Sequence, residues 1–422
     1  MPNGRSSTIK VIPSASRLVR SLRDLGYDFP QAVADLVDNS VAADAARIAI
    51  DLRFEGPDSW LRIADDGQGM GGDEITEAMR YGSSQSYDDE ALGKFGLGLK
   101  TASLSQCRRL SVASRRAPTR ARMEVRALDL NHVIEADRWE IFDIPARSAD
   151  ARLVEPLRES PGTIVLWESL DRLFDFKIPW GKRAENALDT LAGQLRLHLG
   201  MIFHRFLSGE VEGRDSLEIL VNGEPVEGWD PFALTEHSTA VLSPADFDMQ
   251  TEEGFGLVRF QPFVLPSREE FSSEDAFHAH AGPRRWNAQQ GFYIYRANRL
   301  IQAGGWSRLR TLDEHVKLAR ASIDFYPELD SAFKVNVAKV RVSLPAELKE
   351  RLGPVAEPWI RAAQTAYRAN AKSELPRRKQ PRPELRSALE QAAEDAGEGR
   401  SFRRIVRRLR RSHPGAAHDL GW

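Results

Sequence analysis

Three polar side chains that can ionise or bind a cation interrupt an apolar stretch near the start of the chain, QAVADLVDNSVAADA at residues 31–45. The apolar residues recur at helical spacing, which predicts a helix with Asp35, Asp38 and Asn39 on its polar side. Asp35 and Asn39 are one helical turn apart and can face one ligand. A carboxylate can accept a proton from water, and an amide oxygen is a suitable ligand for Mg²⁺. The alternative interpretation is an ordinary solvated helix face.

An acidic, glycine-rich turn follows the predicted strand WLRIA. Asp65 ends that strand, and the turn runs through Gly67 and Gly69 to Met70. An aspartate in this place can accept a hydrogen bond from an exocyclic amine, and the glycines allow a flat ring to approach the backbone. The spacing also matches the dinucleotide fingerprint G-x-G-x-x-G. Two aspartates directly before it would repel a pyrophosphate, and no βαβ unit surrounds it, so a nicotinamide or flavin site is disfavoured.

A second glycine-rich motif, GKFGLGLKT, occupies residues 93–101 and leads into a predicted helix. Its glycines, Gly96 and Gly98 among them, leave backbone N–H groups free at the start of that helix, where a phosphate is favoured by the unpaired donors and the helix dipole. Lys94 and Lys100 add positive charge. The motif is not a P-loop, because no G-K-[ST] follows at the required spacing.

These motifs, in this order and spacing, resemble those of the GHKL ATPase superfamily of gyrase, heat-shock chaperones, histidine kinases and MutL. Residues 35–39 are similar to its N box, residues 65–69 to its first glycine box and residues 93–98 to its second. Gly162-Thr163, which opens the strand GTIVLW, resembles its third motif. The segments SLRDLGYDFPQAVADLVDNS, LGKFGLGLKTASLSQ and GFYIYRANRLIQAGGW look closest to MORC-like and bacterial stand-alone ATP-binding proteins.

The resemblance implies a Mg-ATP site. Asn39 would hold Mg²⁺ on the ATP phosphates, and Asp65 would accept a hydrogen bond from the adenine amine with support from Thr163 through water. Residues 82–95 would form the ATP lid. The other residues implied to contact the nucleotide are Gly67, Gly69, Met70, Lys94, Gly96, Leu97, Gly98, Leu99 and Lys100.

Asp35 stands where hydrolytic members of the superfamily carry a glutamate general base. Because aspartate is shorter by one methylene, its carboxylate stops about 1 Å short, and a misplacement of that size can cost about 100-fold in rate. The resemblance therefore implies slow turnover. It also implies a lysine from the second domain at the γ-phosphate. Lys339, in VNVAKVRV, is the best match and Lys334 the second choice, although either could be a solvent-facing strand residue.

Composition and length indicate two or three soluble domains of an α+β protein. The chain has 422 residues, of which 41% are hydrophobic, with a net charge of -2 and a single cysteine, Cys107. We expect an N-terminal α/β sandwich with helices on a mixed, mainly antiparallel sheet at 1–172, a transducer-like α+β domain at 173–370 and a basic tail at 371–422. Without a signal peptide or an apolar run long enough to span a membrane, the sequence predicts a cytoplasmic protein.

The tail is rich in arginine. Seven arginines lie between Arg400 and Arg411, around an apolar helical face. This helix could bind nucleic-acid phosphates, or it could dock on a protein or on anionic lipid.

The main hypothesis is an ATPase switch that dimerises with ATP as a homodimer, and the runner-up is a non-hydrolysing ATP-gated binding or assembly module for a protein or DNA partner. In a third hypothesis the tail dominates nucleic-acid binding and ATP only stabilises the fold. The sequence shows no phosphoacceptor histidine near these motifs, which argues against a sensor histidine kinase.

Overall fold

The computed structural model describes residues 13–24, 27–81, 98–116, 122–173, 176–251, 254–335 and 342–373. Its helices are α1 (Ala15–Arg23), α2 (Phe29–Ala42), α3 (Gly72–Met79), α4 (Gly98–Gln106), α5 (Leu130–Ala136), α6 (Ala151–Val154), α7 (Lys182–Ile202), α8 (His204–Leu207), α9 (Glu274–His280), α10 (Arg285–Ala288), α11 (Asp330–Phe333) and α12 (Ala346–Ser373). Its strands are β1 (Arg47–Arg53), β2 (Trp60–Asp65), β3 (Arg109–Arg115), β4 (Met123–Asp129), β5 (Phe142–Asp143), β6 (Gly162–Glu168), β7 (Glu218–Val221), β8 (Glu224–Pro225), β9 (Ala240–Val241), β10 (Ala245–Gln250), β11 (Phe255–Val264), β12 (Gly291–Arg296), β13 (Arg299–Gln302) and β14 (Ala319–Phe325).

The first sheet has the strand order β5-β4-β3-β6-β2-β1-β7-β8. Every pairing in it is antiparallel except that of β1 with β7. The central strands alternate between two apolar faces, as the two-residue period of a strand requires. In β6, Val165 and Trp167 join the core shared with α2, α4 and α7, whereas Ile164 and Leu166 pack against the segment around α6. Both faces of the sheet are therefore covered.

Helix α2 carries the first predicted motif and begins where its sequence requires. Asp28 is its N-cap, and the Asp28 carboxylate accepts a hydrogen bond from the Gln31 N–H at 2.9 Å. Pro30 lies in the first turn, where a missing N–H costs nothing. From Ala32 to Val41 nearly every side chain is buried, because α4 packs on one side of α2 and α7 on another. The solvated-face interpretation of this helix is wrong for all but a few positions.

The second sheet has the strand order β10-β11-β14-β12-β13, with β9 paired to β11. Strands β12 and β14 are parallel, and the other pairings are antiparallel. The hairpin of β12 and β13 turns through Ala297 and Asn298, both at positive φ. This turn places Arg299 at the start of β13, next to the long helix α7.

The predicted α+β layout is confirmed, but the division at 172/173 cuts through the first sheet. The segment LEILVNGEPV forms the hairpin of β7 and β8, and β7 extends the first sheet by pairing in parallel with β1. By contact density the chain divides into residues 1–363 and 364–422. Of the segment VNVAKVRV, in which Lys339 was expected on a strand, residues 336–341 are outside the described part. The predicted tail helix is outside it as well.

Cys107, the single cysteine of the chain, is buried. Its side chain is 0% exposed and its thiol contacts the Ser103 carbonyl oxygen at 3.2 Å. Burial raises the pKa of Cys107 far above its usual range, so the thiol stays protonated.

Candidate functional site

Helix α2 directs its polar side chains to different surroundings. Asn39 is exposed in the last turn of α2, although most of the other residues of this helix are buried. Asp35, one turn earlier, is only 2% exposed. The exposed amide is accessible to a ligand from solvent, whereas the carboxylate is enclosed by protein.

Asp35 lies between a tyrosine, the start of α4 and an arginine of the second sheet. The Tyr27 hydroxyl donates a hydrogen bond to Asp35 Oδ2 at 2.9 Å. A Cβ atom at Gly98, the first residue of α4, would lie 3.7 Å from the same oxygen. On the other side, Arg299 Nη2 lies 3.7 Å from Asp35 Oδ1. The carboxylate is thus adjacent to the helix N-terminus for which phosphate binding was predicted.

Asp38 also contacts Arg299, and more closely. Arg299 Nε donates to Asp38 Oδ1 at 2.7 Å, with side chains that are 4% and 0% exposed. Burial, reinforced by the positive charge of Arg299, lowers the pKa of His198 to about 4, so that imidazole is neutral around pH 7. Sequence reasoning assigned no role to Arg299, because its partner lies 261 residues away. Its place in the quoted segment YRANRLI was the only sequence signal.

Asp65 is fixed by donors from three segments. Its Oδ2 accepts from the Ser40 hydroxyl at 2.8 Å, and its Oδ1 accepts from the N–H groups of Gly67 at 3.1 Å and Thr163 at 3.2 Å. Burial raises the pKa of Asp65, and these hydrogen bonds oppose the shift. A carboxylate has about four acceptor positions, so one position on Oδ2 remains for a further donor. That is the interaction expected for an adenine amine.

Ser114, on β3, joins the first glycine box to the third motif. Its hydroxyl donates to the Gly162 carbonyl at 2.8 Å and accepts from the Met70 N–H at 2.7 Å. Since its one proton is used, the contact of 2.9 Å with Thr163 Oγ1 must be donated by Thr163. The Thr163 oxygen is then left as an acceptor, which suits the water-mediated support expected of it. Sequence reasoning missed both Ser40 and Ser114.

Two glycines of the site allow backbone segments to approach more closely than a side chain would permit. At Gly69, φ is +69° and a Cβ atom would lie 2.1 Å from the Arg115 carbonyl oxygen. At Gly162, φ is +142° and a Cβ atom would lie 2.0 Å from the Asp65 carbonyl oxygen. Both conformations favour glycine. These close approaches build the turn that presents Asp65.

The position of Lys100 differs from the expected one, in which its charge would lie beside a phosphate. Its side chain is 0% exposed, and its ammonium donates to the carbonyl oxygens of Ala78 at 2.9 Å and Arg80 at 2.5 Å. Burial lowers the pKa of Lys100 to about 8, and Glu77 opposes the shift. The ammonium satisfies carbonyl groups at the end of α3, where the helix has no internal donors left.

The remaining predicted residues divide into described and undescribed groups. Gly98 and Leu99 form the partly exposed first turn of α4. Lys334 is exposed at the C-cap of α11 with φ of +50°, so it is not the strand residue that was expected. The positions outside the described residues are the lid at 82–95, Lys94, Gly96, Leu97 and Lys339.

The exposed Asn39 amide would contribute one oxygen ligand to a magnesium ion. The described residues hold no group of three or more His, Cys, Asp or Glu side chains placed to bind a metal. Asn39 offers one amide oxygen, so Mg²⁺ there would complete its ligands with phosphate oxygens and water, which is how this ion commonly binds in nucleotide sites.

Among the helices of the described ranges, none is long and apolar enough to cross a bilayer.

Comparison with known families agrees with this geometry. Residues 27–163 match the family model described as "Histidine kinase-, DNA gyrase B-, and HSP90-like ATPase". This part of the chain is a GHKL ATPase domain. The matched range holds Asp35, Asn39, Asp65 and Gly98 and ends at Thr163, so each predicted motif lies inside the GHKL domain. Domains of this superfamily bind ATP.

Curated relatives of the GHKL domain include a MORC protein and several MutL proteins. The chain is 33% identical over 85 residues to "ATPase morc-1" of Caenorhabditis elegans, a match that covers 20% of this chain and 10% of the relative. It is 42% identical over 90 residues to "DNA mismatch repair protein MutL" of Pectobacterium atrosepticum, covering 20% of this chain and 14% of that protein. The MutL protein of Aliivibrio fischeri is 42% identical over 88 residues, 13% of its length. The similarity is therefore confined to a small part of each relative.

Proposed function

We propose that the protein binds Mg-ATP, hydrolyses it slowly and changes conformation and dimerisation with its nucleotide state. The observation that carries this proposal is the convergence of α2 and α4 on one site. Asp35 Oδ2 lies 3.7 Å from the Cβ position of Gly98 at the start of α4. Asn39 is exposed one turn along the same helix. The residues proposed as base and metal ligand thus lie one turn apart on α2, and the proposed base lies beside the start of α4.

In this proposal each part of the site has one task. Asp65 selects adenine through its remaining acceptor position, while Gly67, Gly69 and Met70 line the ring. Asn39 holds Mg²⁺ on the phosphates, and the N–H groups at the start of α4 bind their oxygens. Asp35 takes a proton from the attacking water. Lys339 is proposed to reach the γ-phosphate on the ground of the sequence resemblance alone.

The test is calorimetric titration of the purified protein with a non-hydrolysable ATP analogue, paired with a phosphate-release assay. We expect binding that needs Mg²⁺, binding that is weakened about 10-fold or more by Asn39→Ala, and measurable release of phosphate from ATP. A 10-fold loss of affinity corresponds to about 1.4 kcal/mol of binding free energy. A protein that neither binds the analogue nor releases phosphate would refute the proposal.

We further propose that ATP drives formation of a homodimer, in line with the superfamily. Light scattering with and without the analogue tests this, and an unchanged mass at micromolar protein would refute it. A DNA partner is proposed from the similarity to the DNA mismatch repair protein MutL and from the arginines at 400–411. DNA affinity measured against salt, for the full chain and for a chain ending at Ala371, tests that role. Equal salt slopes would remove the tail from it.

One observation favours the second candidate, an ATP-gated module that does not hydrolyse. Asp35 is 2% exposed, and its two oxygens face Tyr27 and Arg299 rather than solvent. A base enclosed in this way would need the nucleotide-bound state to admit a water molecule. Analogue binding with no phosphate release above that of Asp35→Asn would establish this candidate instead.

A further inference from the structure

The Tyr27 hydroxyl occupies the space directly in front of the Asp35 carboxylate. It donates to Asp35 Oδ2 at 2.9 Å, and that oxygen is the one nearest the Cβ position of Gly98. The side chain of Thr101, one turn into α4, is hydrogen-bonded to the Tyr27 hydroxyl in a way that lowers the tyrosine pKa. Tyr27 is partly exposed, whereas Asp35 is 2% exposed. The Tyr27 hydroxyl and the start of α4 therefore both lie close to the same oxygen of the enclosed carboxylate.

This arrangement affects how Asp35 can act as a base, because aspartate is shorter than the glutamate found in hydrolytic members of the superfamily. An aspartate ends about 1 Å short of a glutamate at the same backbone position, and errors of that size can reduce a rate about 100-fold. Asp35 also cannot turn freely toward a water molecule, since Arg299 lies 3.7 Å from its other oxygen. The Tyr27 hydroxyl lies 2.9 Å from Asp35 Oδ2, so a proton can reach the carboxylate through it without any movement of Asp35.

We propose that Tyr27 is a further catalytic residue, whose hydroxyl relays a proton from the attacking water to Asp35. The inference rests on the proposed ATPase function. In the step, water gives a proton to Tyr27 Oη while Tyr27 gives its own proton to Asp35 Oδ2. The water oxygen forms a bond to the γ-phosphorus as the bond from that phosphorus to the β–γ bridging oxygen breaks. ADP and phosphate leave, and Asp35 returns its proton to solvent through the same hydroxyl.

The hydrogen-bonding capacity of the hydroxyl suits this role. Tyrosine has one proton and two acceptor positions. The proton is directed to Asp35, and the lone pairs of the hydroxyl oxygen can accept a hydrogen bond from a water molecule. Burial, reinforced by the charge of Asp35, raises the pKa of Tyr27 well above its usual range. The phenol thus keeps its proton and acts by simultaneous transfer rather than as a tyrosinate.

The same geometry predicts the effect of a glutamate at residue 35. A glutamate in place of Asp35 would bring its carboxylate into the space of the Tyr27 hydroxyl, 2.9 Å from the present oxygen. Removing that hydroxyl would open the space and let the longer carboxylate reach the water directly. A relay therefore predicts that a change at residue 35 can rescue a change at residue 27.

The experiment compares phosphate release at saturating ATP for four proteins: the wild type, Tyr27→Phe, Asp35→Glu, and the double variant. We expect Tyr27→Phe to lower kcat about 100-fold, within the range for loss of general acid–base catalysis. We expect the double variant to recover at least 10-fold over Tyr27→Phe. A Tyr27→Phe rate within about twofold of wild type, or a double variant no faster than Tyr27→Phe, would overturn the relay.

Two controls separate the relay from other causes. Affinity for the non-hydrolysable analogue should be equal in wild type and Tyr27→Phe, which excludes a loss of folding or of binding. Tyr326→Phe, at a tyrosine 52% exposed and away from α2, should leave kcat unchanged. The two failures are distinct. If wild type and Asp35→Asn release phosphate equally, the ATPase proposal fails, whereas if only Tyr27→Phe equals wild type, the relay alone fails.

Discussion

Arg299 Nε donates to Asp38 Oδ1 at 2.7 Å, and this buried pair joins the second sheet to the helix that carries the proposed nucleotide site. The guanidinium is also 3.7 Å from Asp35, so one cation faces both carboxylates of DLVDN. Strand β13 can therefore move relative to α2 only if this contact is broken or carried along. The pair is a physical route by which nucleotide binding and the second sheet can affect one another.

Removing the Arg299 guanidinium should leave the buried Asp38 carboxylate without that counter-ion. We expect Arg299→Met to lower the free energy of unfolding by about 3–5 kcal/mol, because Asp38 would stay enclosed without its partner. The double variant Asp38→Leu/Arg299→Met should lose less, since neither charge remains. Urea unfolding measures both. Arg361→Met, at an arginine 69% exposed, is the control and should change stability by less than about 0.5 kcal/mol. A similarly small loss in Arg299→Met would contradict the buried pair.

Asp65→Asn should separate adenine recognition from folding. The amide oxygen can still accept from the Gly67 and Thr163 N–H groups, and the Ser40 hydroxyl can rotate to accept from the new NH₂ group. The position left for an adenine amine becomes a donor, and we expect affinity for the ATP analogue to fall about 10- to 100-fold. Calorimetric titration measures it.

The neighbouring aspartate is a matched control for that experiment. Asp66 accepts from the N–H groups of Ala46 at 2.8 Å and Arg47 at 2.9 Å, and an asparagine oxygen can do the same. Asp66→Asn should bind the analogue as the wild type does. Unchanged affinity in Asp65→Asn would remove Asp65 from the nucleotide site.

Gly69→Ala should disrupt the turn before α3. At this position φ is +69° and the new Cβ atom would lie 2.1 Å from the Arg115 carbonyl oxygen. Gly213→Ala isolates the cost of positive φ, because φ is +75° there and nothing lies within 4 Å of the Cβ position. We expect about 1–2 kcal/mol for Gly213→Ala and a clearly larger loss for Gly69→Ala, together with loss of analogue binding. Equal losses in urea unfolding would show that the close approach is not real.

Lys100 gives a pH-dependent prediction. Burial lowers its pKa from 10.5 to about 8 in the folded protein. Between these pH values the unfolded chain binds more protons than the folded one, so this group makes stability rise with pH in that window. The unfolding free energy of the wild type minus that of Lys100→Met should therefore increase from pH 8 to pH 10. A difference that is flat across this range would contradict the burial of the ammonium.

The sequence was sufficient for what is local. The motifs at 35–39 and 65–69 combine residue types with a spacing that a helix or a strand end translates directly into geometry. The elements that carry them, α2 and β2, lie within a few residues of their predicted bounds. The hairpin turn at Asn222-Gly223 is local in the same sense, since both turn residues have positive φ and Asn-Gly favours that conformation.

Contacts between distant segments could not be predicted in the same way. Ser114 is one of many serines until β3 pairs with β6 and brings it beside Thr163. Arg299 acquires its partner only when α7 and β13 pack near α2. The expectation that Lys100 lies beside a phosphate failed for the same reason. The sequence around a lysine next to a glycine motif is the same whether its side chain faces a phosphate or the end of α3.

The central claim is that Asp35 drives hydrolysis of ATP bound at α2 and α4. It is tested most directly by single-turnover phosphate release from wild type and from Asp35→Asn, with each protein saturated by Mg-ATP. We predict slow release by the wild type, release at least about 100-fold slower by Asp35→Asn, and equal affinity of both for the non-hydrolysable analogue. Equal release rates in the two proteins would contradict the account.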